Sequence, residues 1–167
     1  MPERLLYLVN HGAQEDCILL ADRLSSEDFT ALHHSPLAHA VETAQVLAQR
    51  LPGVPVHQDD LLDDDIPEHV DTHAAYSAFR ETGGLKNAQA AEERYVGVPE
   101  RDERLLIVTN TVLIAWFARS AIATPPWRWA GLKLRGCGLT ILSCKENRPP
   151  AIVSFNDAEH LEPRSGE

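Results

Sequence analysis

A chain of 167 residues fits one domain and is long enough to bury a proper core. Asp and Glu number 25 against 15 Lys and Arg, a formal charge of −10 that works against non-specific attraction to nucleic acid or anionic lipid. No window reaches the ~20 apolar residues of a membrane span, and the first residues lack a basic-then-apolar leader pattern.

The three cysteines, Cys17, Cys137 and Cys144, show no C-x-x-C spacing, so neither a disulfide framework nor a zinc ribbon is indicated. These features predict a soluble protein of the reducing cytoplasm with no nucleic-acid or membrane partner.

Residues 4–10, RLLYLVN, are an apolar run that ends at His-Gly, the pattern of a buried strand entering a loop. In residues 15–24, EDCILLADRL, Ile18, Leu19, Leu20 and Leu24 fall at helical spacing. The same grammar repeats: FTALHHS reads as a strand, Pro36 suits a first helical turn, and LAHAVETAQVLAQRL is rich in helix formers until Pro52 and Gly53 stop it.

VPVHQ is short and holds a proline, as an edge strand does. From Asp59 to about Gly84 the chain is polar and irregular and opens on the acidic run DDLLDDD. LKNAQAAEERYVG reads as a helix, RLLIVTNT as the clearest buried strand, and VLIAWFARSAIA as a helix covered on several sides. TPPWRW breaks that helix, and CGLTILSC and PAIVSFN are two further strands. Strands alternating with helices predict an α/β class with a mainly parallel sheet covered on both faces.

Five segments, LYLVNHG, HHSPLAHAVETAQVLA, LLIVTNTVLIAWFARSAI, GCGLTILS and FNDAEHL, resemble in order and approximate spacing the histidine phosphatase superfamily, also called phosphoglycerate mutase-like. The resemblance covers about residues 4–161, and SPLAHAVETA is its most specific block. TPPWRWAGLKLRGCGLTIL resembles the branch that holds a mitochondrial protein phosphatase. The resemblance implies a three-layer fold over residues 1–161 with a C-terminal tail at 162–167, and a pocket at the C-terminal ends of the strands.

It also implies a set of site residues. His11 matches the family's nucleophilic histidine, but Asn10 stands where the family has a phosphate-gripping arginine. His39 matches a second phosphate-binding arginine; histidine is shorter, offers no bidentate fork and is not permanently charged. Asn110 matches a second histidine and carries no charge. Asp64, with Asp63 and Asp65 as rivals, matches the carboxylate that protonates the leaving group, and Gly12 and Ser35 come from the same His-Gly and Ser-Pro motifs. The expected set is therefore catalytic His11, Asp64 and His39, with Asn10, Gly12, Asn110 and Ser35 binding substrate.

Phosphoryl transfer depends on positioned positive charge, so these replacements point to weak or absent phosphatase activity. Three readings stay open. One is a pocket turned to acid/base chemistry on, or binding of, a neutral polar small molecule. Another is a non-catalytic pseudophosphatase scaffold, and the third is a weak phosphohydrolase using His11 as a phosphohistidine nucleophile.

No cofactor is implied. A metal site from His11, His39 and Asp64 has no supporting spacing. His33 and His34 are expected to be one exposed and one satisfied histidine, and Asn156 and His160 to fix the C-terminus. Lys133 and Arg135 read as a solvated strand edge. At least one of Trp127 and Trp129 is expected to pack against the sheet edge, a partner or homodimer contact being the sharper alternative.

Overall fold

The computed structural model describes residues 1–63, 86–124 and 132–163. The expectations placed on Asp64, Asp65, Trp127 and Trp129 lie outside the described residues.

The element order follows the alternation read from the sequence: β1 (Glu3–Asn10), α1 (Gln14–Leu24), β2 (Ala31–His34), α2 (Ala38–Arg50), β3 (Val56–Gln58), a 3-10 turn at Asp60–Leu62, α3 (Lys86–Tyr95), β4 (Glu103–Thr109), α4 (Thr111–Ala121), β5 (Leu139–Lys145) and β6 (Ala151–Asp157), closed by a 3-10 turn at Glu159–Leu161. The strands form one six-stranded sheet in the order β3-β2-β4-β1-β5-β6. β1 to β4 pair in parallel, and β5 and β6 are antiparallel additions on one side.

Alternation along the strands sends side chains to two cores. Leu6, Leu8, Leu105, Ile107 and Leu142 face α3 and α4, where Ile114, Trp116 and Phe117 of the apolar helix meet them. Tyr7, Val9, Leu32, Leu106, Val108 and Leu139 face α1 and α2, against Leu20, Leu24, Ala44 and Leu47. β1 and β4 are buried on both faces, hence their continuous apolar runs rather than a polar-apolar alternation. Each fully buried leucine contributes about 1.5–3 kcal/mol of transfer free energy. β6 departs from this, because Val153 and Phe155 on one of its faces are exposed.

This topology positions a site. The chain leaves β1 into α1 on one face of the sheet and leaves the neighbouring β4 into α4 on the other. Two connections that part in opposite directions open a crevice beyond the C-terminal ends of the strands, where open α/β sheets place ligands. Asn10 ends β1 there, His11 follows it, and Asn110 follows β4.

Candidate active site

The His11-Gly12 corner is held on three sides. His11 N–H donates to Thr109 O at 3.1 Å, continuing the ladder one residue past β1. Gly12 N–H donates to Thr43 Oγ1 of α2 at 3.3 Å, and Asn10 O accepts from Cys137 N–H in the segment before β5 at 2.8 Å.

The imidazole of His11 is half-buried and stacks on His39, with ring centroids 5.4 Å apart and planes 19° from parallel. His39 itself is exposed, in the first turn of α2. Ser35 lies in the turn before that helix: its hydroxyl, buried with the rest of the residue, accepts from Leu37 N–H at 3.2 Å. A backbone donor therefore occupies the Ser35 oxygen.

Burial, with His39 beside it, pushes the His11 pKa below the usual histidine value. At neutral pH it is an uncharged ring with one donor and one acceptor nitrogen. Burial lowers His33 and His160 as well. For all three, the unfolded chain takes up protons first as pH falls through about 6.5, so stability is lost as pH drops below that value and levels off beneath the folded pKa values. Denaturant titration is expected to give a lower midpoint at about pH 5.5 than at about pH 7.5. His11→Gln should remove part of that difference; an unchanged difference would show that His11 titrates as it does in the unfolded chain.

Two amides stand at the C-terminal ends of β1 and β4. Asn10, 8 % exposed, points its amide nitrogen at Leu134 O at a long 3.5 Å, and its Oδ1 is buried without a hydrogen-bond partner among the described residues. Asn110 caps α4, its Oδ1 accepting from Leu113 N–H at 3.1 Å, a contact worth about 1 kcal/mol to a helix. That leaves Asn110 Nδ2 buried without a partner among the described residues. Asn10 pairs with Thr109 in the β1–β4 register, so the two amides belong to adjacent strand ends. One offers an acceptor and the other a donor.

The acidic segment is anchored from below. Thr109 Oγ1 donates to Leu62 O at 2.8 Å. Asp59, buried, accepts from Tyr95 Oη and from Leu61 N–H, and pairs with Arg94 at 3.1 Å. These contacts fix where the chain leaves the sheet toward Asp63, half-buried at the end of the 3-10 turn. Among the described residues no group of three or more His, Cys, Asp or Glu could hold a metal ion, and no helix is long and apolar enough to cross a membrane.

His34 meets its expectation through Nδ1, 2.9 Å from Ser35 O. The expected exposed member of the pair is not found: His33 is half-buried like His34, lying against His57 and Tyr95. His160 ties the C-terminal turn to the site, with Nε2 2.8 Å from Cys137 O and Nδ1 3.0 Å from Arg23. Asn156 Oδ1 accepts from Arg135 N–H at 2.8 Å, while the exposed Arg135 side chain pairs with Glu162.

Sequence reasoning missed Thr43, Cys17 and Cys137. Thr43 lies four residues after His39, on the same face of α2, and that spacing was the available signal. Nothing in the sequence joins Cys17 to Cys137, which are 120 residues apart.

Comparison with known proteins places this arrangement. Over 184 residues the chain is 26 % identical to the mitochondrial serine/threonine-protein phosphatase Pgam5 of Caenorhabditis briggsae, covering 96 % of this chain and 65 % of that protein. It is 25 % identical over 142 residues to the human PGAM5 phosphatase, covering 81 % of this chain and 49 % of that protein. The chain thus spans between about half and two-thirds of the curated relatives it matches.

In fold it is similar to a phosphoglycerate mutase of Plasmodium falciparum, with a TM-score of 0.70 at 22 % identity, covering 100 % of this chain and 99 % of that one. It is likewise similar to an Entamoeba histolytica phosphoserine phosphatase, with a TM-score of 0.70 at 18 % identity, covering 95 % of this chain and 100 % of that one. The family profile of the histidine phosphatase superfamily, branch 1, matches residues 7–158, and the chain belongs to that superfamily.

Proposed function

We propose that this member has turned its crevice from phosphate to a neutral polar small molecule, bound or acted on by acid/base chemistry. The observation that carries the reading is a pair of buried amide atoms, the acceptor Asn10 Oδ1 and the donor Asn110 Nδ2, both without hydrogen-bond partners among the described residues, at positions where the superfamily resemblance expects an arginine and a histidine. A buried polar atom left unsatisfied costs about 1–3 kcal/mol. A ligand that presents an N–H beside a C=O, as a carboxamide or lactam does, satisfies both atoms at once without bringing charge.

His11, held neutral and stacked on His39, supplies a base or acid within the same crevice. Asp64 is the carboxylate assigned to work with it. A second reading, weak phosphohydrolysis through His11, is favoured by the stacked His39, a second imidazole that offers an incoming anion a ring N–H donor. The phosphatase names of the Pgam5 relatives agree with it.

The test is turnover of an aryl phosphate by wild type and His11→Ala from pH 5 to 8, run beside amide-resolved NMR of the wild type with simple carboxamides and with inorganic phosphate. The expected result is no turnover by either protein, with carboxamides shifting the Asn10 and Asn110 side-chain signals and phosphate leaving them in place. Turnover lost only in His11→Ala overturns the neutral-ligand reading in favour of the phosphohydrolase. Silence toward both ligand types returns the protein to the scaffold reading.

A further inference from the structure

The Sγ atoms of Cys17 and Cys137 lie 2.9 Å apart, against about 2.05 Å in a disulfide bond. Both side chains are fully buried, and both belong to the core between the sheet and α1 and α2. Cys144 is separated from them by the sheet, since it belongs to the opposite core. Cys137 is held in place by its backbone: its N–H donates to Asn10 O at 2.8 Å, its carbonyl lies 2.8 Å from His160 Nε2, and its φ is 55°.

Cys17, itself fully buried, lies at the wall of a cleft, the side from which a small hydroperoxide would approach. It lines a cleft of about 290 Å³ between α1 and α2, together with Gly12, Gln14, Glu42 and Thr43. We propose that Cys17 and Cys137 form a reversible disulfide when the folded protein meets a hydroperoxide, and that this bond clamps the His11-Gly12 corner from beneath.

The chemistry balances. The Cys17 thiolate attacks one peroxide oxygen, the O–O bond breaks, the other oxygen leaves as water or an alcohol carrying the thiol proton, and Cys17 becomes a sulfenic acid. Cys137 sulfur then attacks the Cys17 sulfur, the S–O bond breaks, and water leaves with the Cys137 proton. Two thiols lose two electrons and two protons, and the peroxide is reduced.

The environment assigns the order of attack. Cys17 sits in the first turn of α1, where the positive end of the helix favours a thiolate. The hydrogen bond from Cys137 and the Thr43 hydroxyl 3.7 Å away hold its pKa below the ordinary thiol value. Cys137 is pushed up by its bond to Cys17 and by burial, so it acts second. Cys144, raised by burial, is the internal control.

The bond would reach the site directly. A Cβ on Gly12 would stand 2.7 Å from Cys137 Sγ, so the corner that carries His11 rests on this sulfur.

The full chain is treated with hydrogen peroxide under native conditions, free thiols are blocked, and the protein is digested and mapped by mass spectrometry. The expected result is a linked Cys17–Cys137 peptide, an intact mass lower by two hydrogens, a free Cys144 thiol, and reversal by a dithiol reductant. Closing so long a loop should raise Tm by roughly 10–20 °C, and that rise should be absent in Cys17→Ser. Three outcomes overturn the proposal: Cys17 oxidised to sulfinic acid with Cys137 still free, both thiols untouched while the unfolded chain reacts, or cross-links made between chains or to Cys144. Because wild type carries the decisive readout, a serine variant that failed to fold would not rescue the proposal.

Discussion

Asn10→Arg, His39→Arg and Asn110→His, made together, should raise aryl phosphate turnover at least ~100-fold over wild type, because one preorganised charge-stabilising donor is worth about 10²–10³ in kcat. The three positions are those at which the superfamily resemblance expects cationic groups near His11. Asn10 precedes His11, His39 stacks on its ring, and Asn110 belongs to the adjacent strand end.

Single changes should do far less than the set, since residues that act on one transition state are not additive. The gain has a structural cost. Asn110→His removes the cap that accepts from Leu113 N–H, and Asn10→Arg puts a larger side chain where the amide now meets Leu134 O. The comparison therefore requires circular dichroism and a melting curve for each protein. His11→Ala in the triple background should abolish the gained turnover. An intact triple variant with no gain would refute the residue assignments at all three positions.

Gly12→Ala should lower stability by about 3 kcal/mol, at the upper end of the usual cost of overpacking. An added Cβ would stand 2.7 Å from Cys137 Sγ, 2.8 Å from Cys137 N and 3.0 Å from Gly136 C, and two of those three atoms are backbone. They cannot swing aside, because Cys137 N–H is committed to Asn10 O. In a domain of this size the loss corresponds to a Tm drop of roughly 6–12 °C.

Gly97→Ala is the matched comparison. The nearest atom to its added Cβ is Arg4 Nη1 at 3.9 Å, and no left-handed φ is required. It should be neutral or stabilising by a few tenths of a kcal/mol, through the unfolded chain. Equal melting temperatures for the two variants would show that the His11-Gly12 corner is not packed on the segment before β5.

How much of this was legible beforehand differs between fold and site. The apolar runs at 4–10 and 104–109 could be read because strands buried on both faces need no polar alternation. The apolar helix behind β4 could be read for the same reason, since Leu113 to Phe117 are buried on nearly every side. The superfamily motifs then ordered these elements into one domain.

The site was legible as a set of positions and not as an arrangement. His11, Asn10, His39 and Asn110 could be named from motifs, but the motifs did not show that Asn110 caps a helix. Nor did they show that the Ser35 oxygen accepts from Leu37 N–H, or that Asn10 Oδ1 and Asn110 Nδ2 stay unpartnered among the described residues. Hydrogen-bond pairing depends on which backbone groups the fold brings within reach, and local sequence does not encode that.

By itself, then, the amino-acid sequence determined what short-range physics controls: where strands and helices begin and end, which faces are apolar, and which residue types sit at the ends of the strands. Only the tertiary structure decided the contacts that join distant parts of the chain. It brought Cys17 to Cys137, set Gly12 against the segment before β5, and parted the connections after β1 and β4 to opposite faces so that a crevice opened between them. The reason is physical: periodicity and propensity act over a few residues, while these contacts form only when both cores close on the sheet and bring together groups more than a hundred residues apart.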